Sequence, residues 1–421
     1  MLVVAALGGC DLDAGRAVAA RSPLTASPSG AEGDSEDAGH PTADDELALK
    51  VLMEARANAV RTRDLKAFKA TVDRRQPKLM AAQTALFRNL TALPIGALEY
   101  DVATVYLTPA PVPGRDPVLH PQVIEHLVLE GTTSSPISNK LDLTFVLRGD
   151  RWLVGAERKP GAKGSVEDPQ ERPWFGVPIA VHHSGKLTVL VDASRKDELD
   201  GLVATVRDGV RRDADILGVD PNEKVLVDAT SNGLSDDFGA GVKEEVAATT
   251  FPLLVIDASG KPVDLAGIAI KINPDHVGEL IDSERLLWHE LTHYLLFRYL
   301  RSSPTWLTEG TAAWVEYQPA RMSQLVVPDE IYQRAQRPPH ELPTEGTFYG
   351  NPDVNYLLAQ AAVQWLVDRL GTDGLLELAK AYDRADGTPD AATSKMLRRV
   401  YDISQRELVE GTWETLGTLH H

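Results

Sequence analysis

The sequence predicts an α+β chain with two folded domains: helices followed by a curled sheet, then a domain centred on a histidine-bearing helix and ending in a helical part. Three observations predict it. Residues 46–90 carry apolar positions at helical spacing, whereas residues 98–156 carry short alternating runs parted by turn residues. A loop rich in Pro, Gly and charge, residues 159–173, interrupts both patterns. Beyond it, strand-like runs reach residue 272 and lead into His289-Glu290-Leu291-Thr292-His293, set in a strongly apolar stretch.

With 421 residues, the chain is long enough to bury more than one core. Its 43% hydrophobic and 25% charged content is ordinary for globular protein. A net charge of −18 argues against binding nucleic acid or an anionic membrane through a basic patch. The one cysteine, Cys10, excludes an intrachain disulfide.

At the front, Leu2 to Leu7 is apolar and Leu7-Gly8-Gly9-Cys10 resembles a bacterial lipobox, so residues 1–10 read as the remnant of a lipoprotein signal. This segment has no Lys or Arg and is short for a signal peptide, which places the expected true start upstream. The resemblance implies a lipidated Cys10 and a membrane-anchored, extracytoplasmic protein. Residues 11–45 are rich in Ala, Ser, Gly, Pro and acidic side chains; with so little apolar surface to bury, they read as a disordered acidic tether.

In the first domain, residues 46–158, the helical run is broken at Pro77, giving two or three helices. Strands are expected at 98–108, 122–130, 140–147 and 151–156, with Gly149-Asp150 as a hairpin turn. This order resembles the nuclear-transport-factor-2-like cone fold and implies a non-catalytic spacer or a binding module. His120 and His126 are isolated and read as surface or packing residues.

The second domain, residues 174–421, opens with strands at 177–181 and 187–191 around His182-His183. Adjacent histidines on a strand point to opposite sides and make poor co-ligands. Residues 199–217 form an amphipathic helix, 225–228 a buried strand, 231–241 a glycine-rich loop, and 251–256 and 267–272 further strands.

At helical spacing, His289 and His293 fall on one face and can present two imidazoles to one ion. Glu290, about a hundred degrees around the helix, suits a base that does not ligate. Asp282 or Ser283 is expected to cap this helix and Arg301-Ser302-Ser303-Pro304 to end it. Ser303-Pro304 then reads as the cap and first residue of a returning helix, which brings back Glu309, sixteen residues beyond His293. Gly310 and the small residues after it would let these two helices approach. Glu316 is the other carboxylate that could complete the ligand set.

On H-E-L-T-H-Y-L and P-T-W-L-T-E-G-T-A-A the chain resembles the gluzincin metallopeptidases of the peptidase MA-like group, over about residue 173 to the C-terminus. The resemblance implies a zincin-like domain, Zn2+ held by His289, His293 and Glu309, Glu290 as general base, and a peptide or protein substrate. Thermolysin-type enzymes carry an Asp four residues after the glutamate ligand, where this chain has Ala313; the match is closer to the aminopeptidase-like branch. In that branch a tyrosine opening the next long helix, here residues 356–370 closed by Gly371, donates to the oxyanion. Tyr356 holds that position and Tyr349 competes with it. The strand at 267–272 is expected, as in zinc peptidases generally, to be the sheet edge over the cleft, where an extended peptide can pair. Residues 395–413 read as a terminal helical pair. The rival function is an envelope binding or scaffold lipoprotein that uses this fold without turnover; nothing in the sequence selects a substrate or an oligomeric state.

With a complete signal peptide restored, the wild-type chain is expected to partition into the detergent phase and Cys10→Ser to remain in the aqueous phase. Equal partitioning of the two would remove the lipid anchor.

Overall fold

A computed structural model describes residues 42–106, 116–158, 172–221, 224–233, 247–337, 340–383 and 387–419. Cys10, residues 11–41 and most of the glycine-rich stretch 231–241 lie outside the described residues. The fold is mixed α+β with two open sheets, and no helix among the described residues is long and apolar enough to cross a membrane.

The first helices are α1 (Ala43–Arg61), α2 (Leu65–Ala70) and α3 (Pro77–Ala92). The capping of α1 lies within the segment read as tether. The Thr42 hydroxyl accepts from the Asp45 N–H, and the Asp45 carboxylate accepts from the Thr42 N–H and from Trp152 Nε1 at 2.9 Å. Regular structure therefore begins three residues before Glu46. Pro77 opens α3, where a missing N–H costs nothing. The first sheet follows as β1 (Ile95–Tyr106), β2 (Val118–Leu119), β3 (Pro121–Leu129), β4 (Ile137–Arg148) and β5 (Arg151–Arg158). All its pairings are antiparallel. The twelve-residue β4 bonds β3 along its first part and β2 and β5 along its second, and Gly149-Asp150 turns β4 into β5.

The second sheet is β6 (Ile179–Ser184), β7 (Leu187–Asp192), β8 (Val225–Ala229), β9 (Ala248–Ile256) and β10 (Pro262–Ile272), in the order β6-β7-β8-β10-β9. β7, β8 and β10 run parallel, and β9 lies antiparallel on β10. The expectation that residues 267–272 form the edge is corrected. A hairpin turn at residues 257–260 folds β9 back outside β10, and β8 takes β10's other side, so β10 is internal. No described strand pairs with the outer side of β9.

Between β7 and β8 lies α4 (Leu199–Leu217). After β10 come α5 (Val277–Asp282), α6 (Arg285–Leu300), α7 (Thr305–Glu316), α8 (Asp329–Ala335), α9 (Pro352–Tyr382), α10 (Pro389–Tyr401) and α11 (Gln405–Leu416). α9 breaks where Gly371, φ 72°, leaves the helical region, and continues at once as a second helical segment.

Period-two alternation gives the second sheet two buried faces. Val189, Val227 and Ile270 pack with Leu202 and Val206 of α4 and Leu287 and Leu291 of α6. Leu190, Leu226 and Ala269 pack instead with Phe87 and Leu90 of α3, Leu127 of β3 and Ile137 of β4. The sheet is thus a middle layer, covered by the helices that carry the site and by the first domain.

An ionic cluster fastens the junction. Arg172 is bidentate to Glu125 at 3.0 and 2.8 Å and reaches Glu157 at 2.7 Å, while Trp174 Nε1 donates to Glu125. Arg56 and Gln83 complete the cluster around Glu157, and all four charged side chains are buried. Asn89 receives the Ile179 N–H and donates to the carbonyls of Trp174 and Val177.

Arg172→Ala would take from Glu125 the cation that pairs with it among the described residues. Urea unfolding is expected to show a loss of about 3–5 kcal/mol. A loss below about 1 kcal/mol would mean that the cluster does not hold the junction.

Candidate metal centre

The metal helix forms as expected in extent but not in capping. Ser283 closes the short α5, so Glu284 takes the N-cap position of α6 and no side chain caps it. α7 begins one residue later than read, with Pro304 in extended conformation as N-cap. α6 presents Leu287, Leu291 and Leu295 to the sheet and Leu296 and Leu300 to the helical core, which fixes its rotation.

That rotation brings three expected residues together. His289 Nε2 and His293 Nε2 are 3.1 Å apart, and Glu309 Oε2 lies 3.4 and 3.5 Å from them. Bonds of about 2.0–2.1 Å in a tetrahedral zinc site hold ligand atoms about 3.3 Å apart. The three atoms thus already have the spacing of one face of such a site. All three residues are buried, and Glu309 Oε2 is a buried acceptor without a hydrogen-bond partner. A donor set of two imidazoles and one carboxylate suits Zn2+.

The electrostatics follow from that burial. Burial opposes charge on His289, but the Glu309 and Glu316 carboxylates beside it outweigh that and raise its pKa to about 10. Burial also works against an ionised Glu309, yet the nearby histidines bring it down to about 2. Glu290 is raised, chiefly by burial.

Each key side chain has a support. Thr250, on β9, donates to Glu290 Oε2 at 2.9 Å and lies 3.0 Å from the Glu290 carbonyl oxygen. Glu290 Oε1 has no hydrogen-bond partner, so one oxygen is held and the other is not. His289 Nδ1 meets Glu316 Oε2 at 3.2 Å. Glu316 thus meets His289 on the ring nitrogen turned away from His293 and Glu309, from two turns beyond Glu309.

Both tyrosines converge on Glu309. Tyr349 Oη donates to Oε1 at 3.3 Å, and Tyr356 is hydrogen bonded to the same carboxylate. Tyr356 is 8% exposed, with its ring 5.9 Å from His289 and edge-on to Phe348; Tyr349 is 38% exposed. Burial, then the Glu309 charge, pushes both phenols up, so they stay protonated donors.

Gly310 does not serve the α6–α7 contact expected of it. A Cβ there would lie 2.4 Å from the Ala359 carbonyl oxygen, so the residue without a side chain brings α9, and Tyr356 with it, against α7.

Arg212 and Asp213 of α4 escaped the sequence reading. Arg212 lies 3.8 Å over the Trp288 ring and donates to the carbonyls of Val315 and Gln318 at 2.9 and 2.7 Å, at the end of α7 that carries Glu316. It also pairs at 2.6 Å with Asp213, which burial raises to about 7. Arg211-Arg212-Asp213 in an amphipathic helix carries no signal that separates it from a solvated face.

His120, His126, His182 and His183 have partners of their own. His182 contacts Arg207, His183 contacts Thr188 and His120 contacts Thr144. His126 joins Asp101 and Ser138, but the hydroxyl is buried and the carboxylate exposed, the reverse of what a nucleophile needs. In comparisons with known proteins, no family model matches the chain and no curated protein is detectably similar to it.

His289→Ala is expected to abolish stoichiometric zinc binding, measured by metal analysis after dialysis, because three ligands become two. Glu316→Gln is expected to keep one zinc per chain but bind it roughly 10–100-fold more weakly in a chelator competition. If Glu316→Gln removed zinc as completely as His289→Ala, Glu316 would have to be counted as a ligand.

Proposed function

We propose that the protein is a zinc metallopeptidase of gluzincin type, in which a zincin-like domain follows a nuclear-transport-factor-2-like domain on a lipoprotein tether. The observation that carries this reading is the convergence of His289 Nε2, His293 Nε2 and Glu309 Oε2 at the mutual spacing of zinc ligands. The presence of Glu290 beside them, ligated to nothing and oriented by Thr250, adds to it.

Zn2+ held by His289, His293 and Glu309 would supply Lewis acidity at the scissile carbonyl and make a nearby water more acidic. The chain's own groups do the rest. Glu290 takes the proton from the attacking water and returns it to the departing amine, so that one carboxylate serves as base and then as acid. Thr250 restrains that carboxylate, since its hydroxyl bonds Oε2 and leaves Oε1 without a partner. Tyr356 is assigned as the donor to the oxygen that gains charge, with Tyr349, the more accessible phenol, in reserve. Glu316 fixes the tautomer of His289 by accepting from Nδ1, which leaves Nε2 free to ligate. Cys10 would anchor the enzyme outside the cytoplasmic membrane.

Glu290→Gln keeps shape and apolar contacts, so zinc is expected to remain at one per chain while hydrolysis of unfolded casein falls by about two to four orders of magnitude. Tyr356→Phe is expected to lower kcat by about two to three orders with little change in KM, because the oxyanion exists only beyond the ground state. Tyr356→Phe within threefold of wild type, with Tyr349→Phe impaired, would transfer the role. An active Glu290→Gln enzyme would end the mechanism.

A further inference from the structure

The metal helix α6 and the returning helix α7 are joined a second time, through α4. Gly209 of α4 lies against α6. A Cβ there would be 2.5 Å from Leu291 Cδ1 and 3.1 Å from Trp288 Cδ1, so the missing side chain lets the two helices come into close contact. One turn further along α4, the Arg212 guanidinium lies 3.8 Å over the ring of Trp288, the residue before His289. Its Nη2 donates to the carbonyls of Val315 at 2.9 Å and Gln318 at 2.7 Å, which lie on either side of Glu316 in the chain. Its Nη1 is held at 2.6 Å by the buried carboxylate of Asp213.

The last carbonyls of a helix are short of intrahelical donors, and its C-terminus attracts a positive group. Arg212 meets both needs of α7 from another element, so the last turn of α7 is tied to a helix that is itself seated on α6. Glu316 ends α7, and its carboxylate meets His289 Nδ1 at 3.2 Å. The Arg212 contacts and the Glu316–His289 bond therefore span the same two helices, and the first set the spacing that the second requires. A planar fork can hold a carboxylate, two carbonyls and a ring face at once, which the point charge of a lysine ammonium cannot. None of these partners of Arg212 is a proposed ligand.

Resting on the metal centre proposed above, we propose that Arg212 is a positioning residue for it. By fixing the last turn of α7 against Trp288, Arg212 sets where Glu316 meets His289, and its contribution to zinc affinity passes through Glu316. It acts on the ion through two intermediaries, the backbone of α7 and the Glu316 side chain. The neighbouring Arg211 is exposed and pairs with Asp208, so it serves as the control.

The test is a double-mutant cycle on the full-length chain, read as zinc affinity in competition with a fluorescent chelator. Arg212→Met is expected to weaken zinc binding about tenfold in the wild-type background. Added to Glu316→Gln, it is expected to weaken binding less than about twofold, because the link it works through is already gone. Arg211→Met is expected to leave the affinity unchanged. Arg212→Met within about twofold of wild type, or an equal loss in both backgrounds, would overturn the role, since equal losses are what a merely structural residue gives. Arg212→Met strands the buried Asp213 carboxylate. If that variant fails to fold, the cycle is run with Arg212→Met/Asp213→Asn against Asp213→Asn, and the same outcomes decide. The readout is zinc affinity and stands apart from turnover. A wild-type chain that binds no zinc would overturn the metal centre itself, whereas zinc binding with equal losses would overturn the role of Arg212 alone.

Discussion

Placing two carboxylates and two imidazoles inside an apolar helical core is the constraint on which the second domain depends. Glu290 and Glu309 are fully buried and the histidines nearly so. Ionised groups in such a place are costly unless each finds a partner. The fold supplies partners from four elements: Glu309 from α7 to the histidines of α6, Thr250 from β9 to Glu290, Glu316 to His289, and the α9-side tyrosines to Glu309. Each bond fixes the distance between two elements, so the site and the packing of α6, α7, α9 and β9 are one problem with one solution.

How much of this the sequence disclosed depended on how local the information was. The histidine pair was legible because i and i+4 on a helix share a face whatever surrounds it. Glu309 was legible because a helix, a proline-marked reversal and a returning helix leave few geometries. Glu316 was visible only as a stand-in ligand. Its contact with His289 depends on how far along α7 the His289 ring falls, and that distance is set by side-chain packing between helices. Gly310 was recognised as a contact residue but given the wrong neighbour, since a small residue reveals close approach without revealing the partner.

The larger misreading concerned the sheet. Alternation identified both β9 and β10 as strands, yet strand order is a matter of pairing across the chain, and residues 251–256 and 267–272 look equally suited to an edge. The same limit hid the Arg172 cluster. Glu125 and Arg172 are 47 residues apart, and on strand and loop each reads as an ordinary surface charge. Arg212 was hidden for a different reason: its work is done on backbone carbonyls, which have no sequence signature.

The middle-layer position of the second sheet bears on how such a chain could have been assembled. The run at 159–173 looks like a seam at which two independent modules were joined. Physically it is no seam, because Leu190, Leu226 and Ala269 on one side and Phe87, Leu90 and Ile137 on the other share a single core. The second domain inherited alone would carry a bare hydrophobic sheet face into water, inviting aggregation. Recombination at that seam would therefore be tolerated only where the incoming partner brought its own matching cover. In this chain the first domain is bound to the second by the need for a lid on the sheet, whatever else it does.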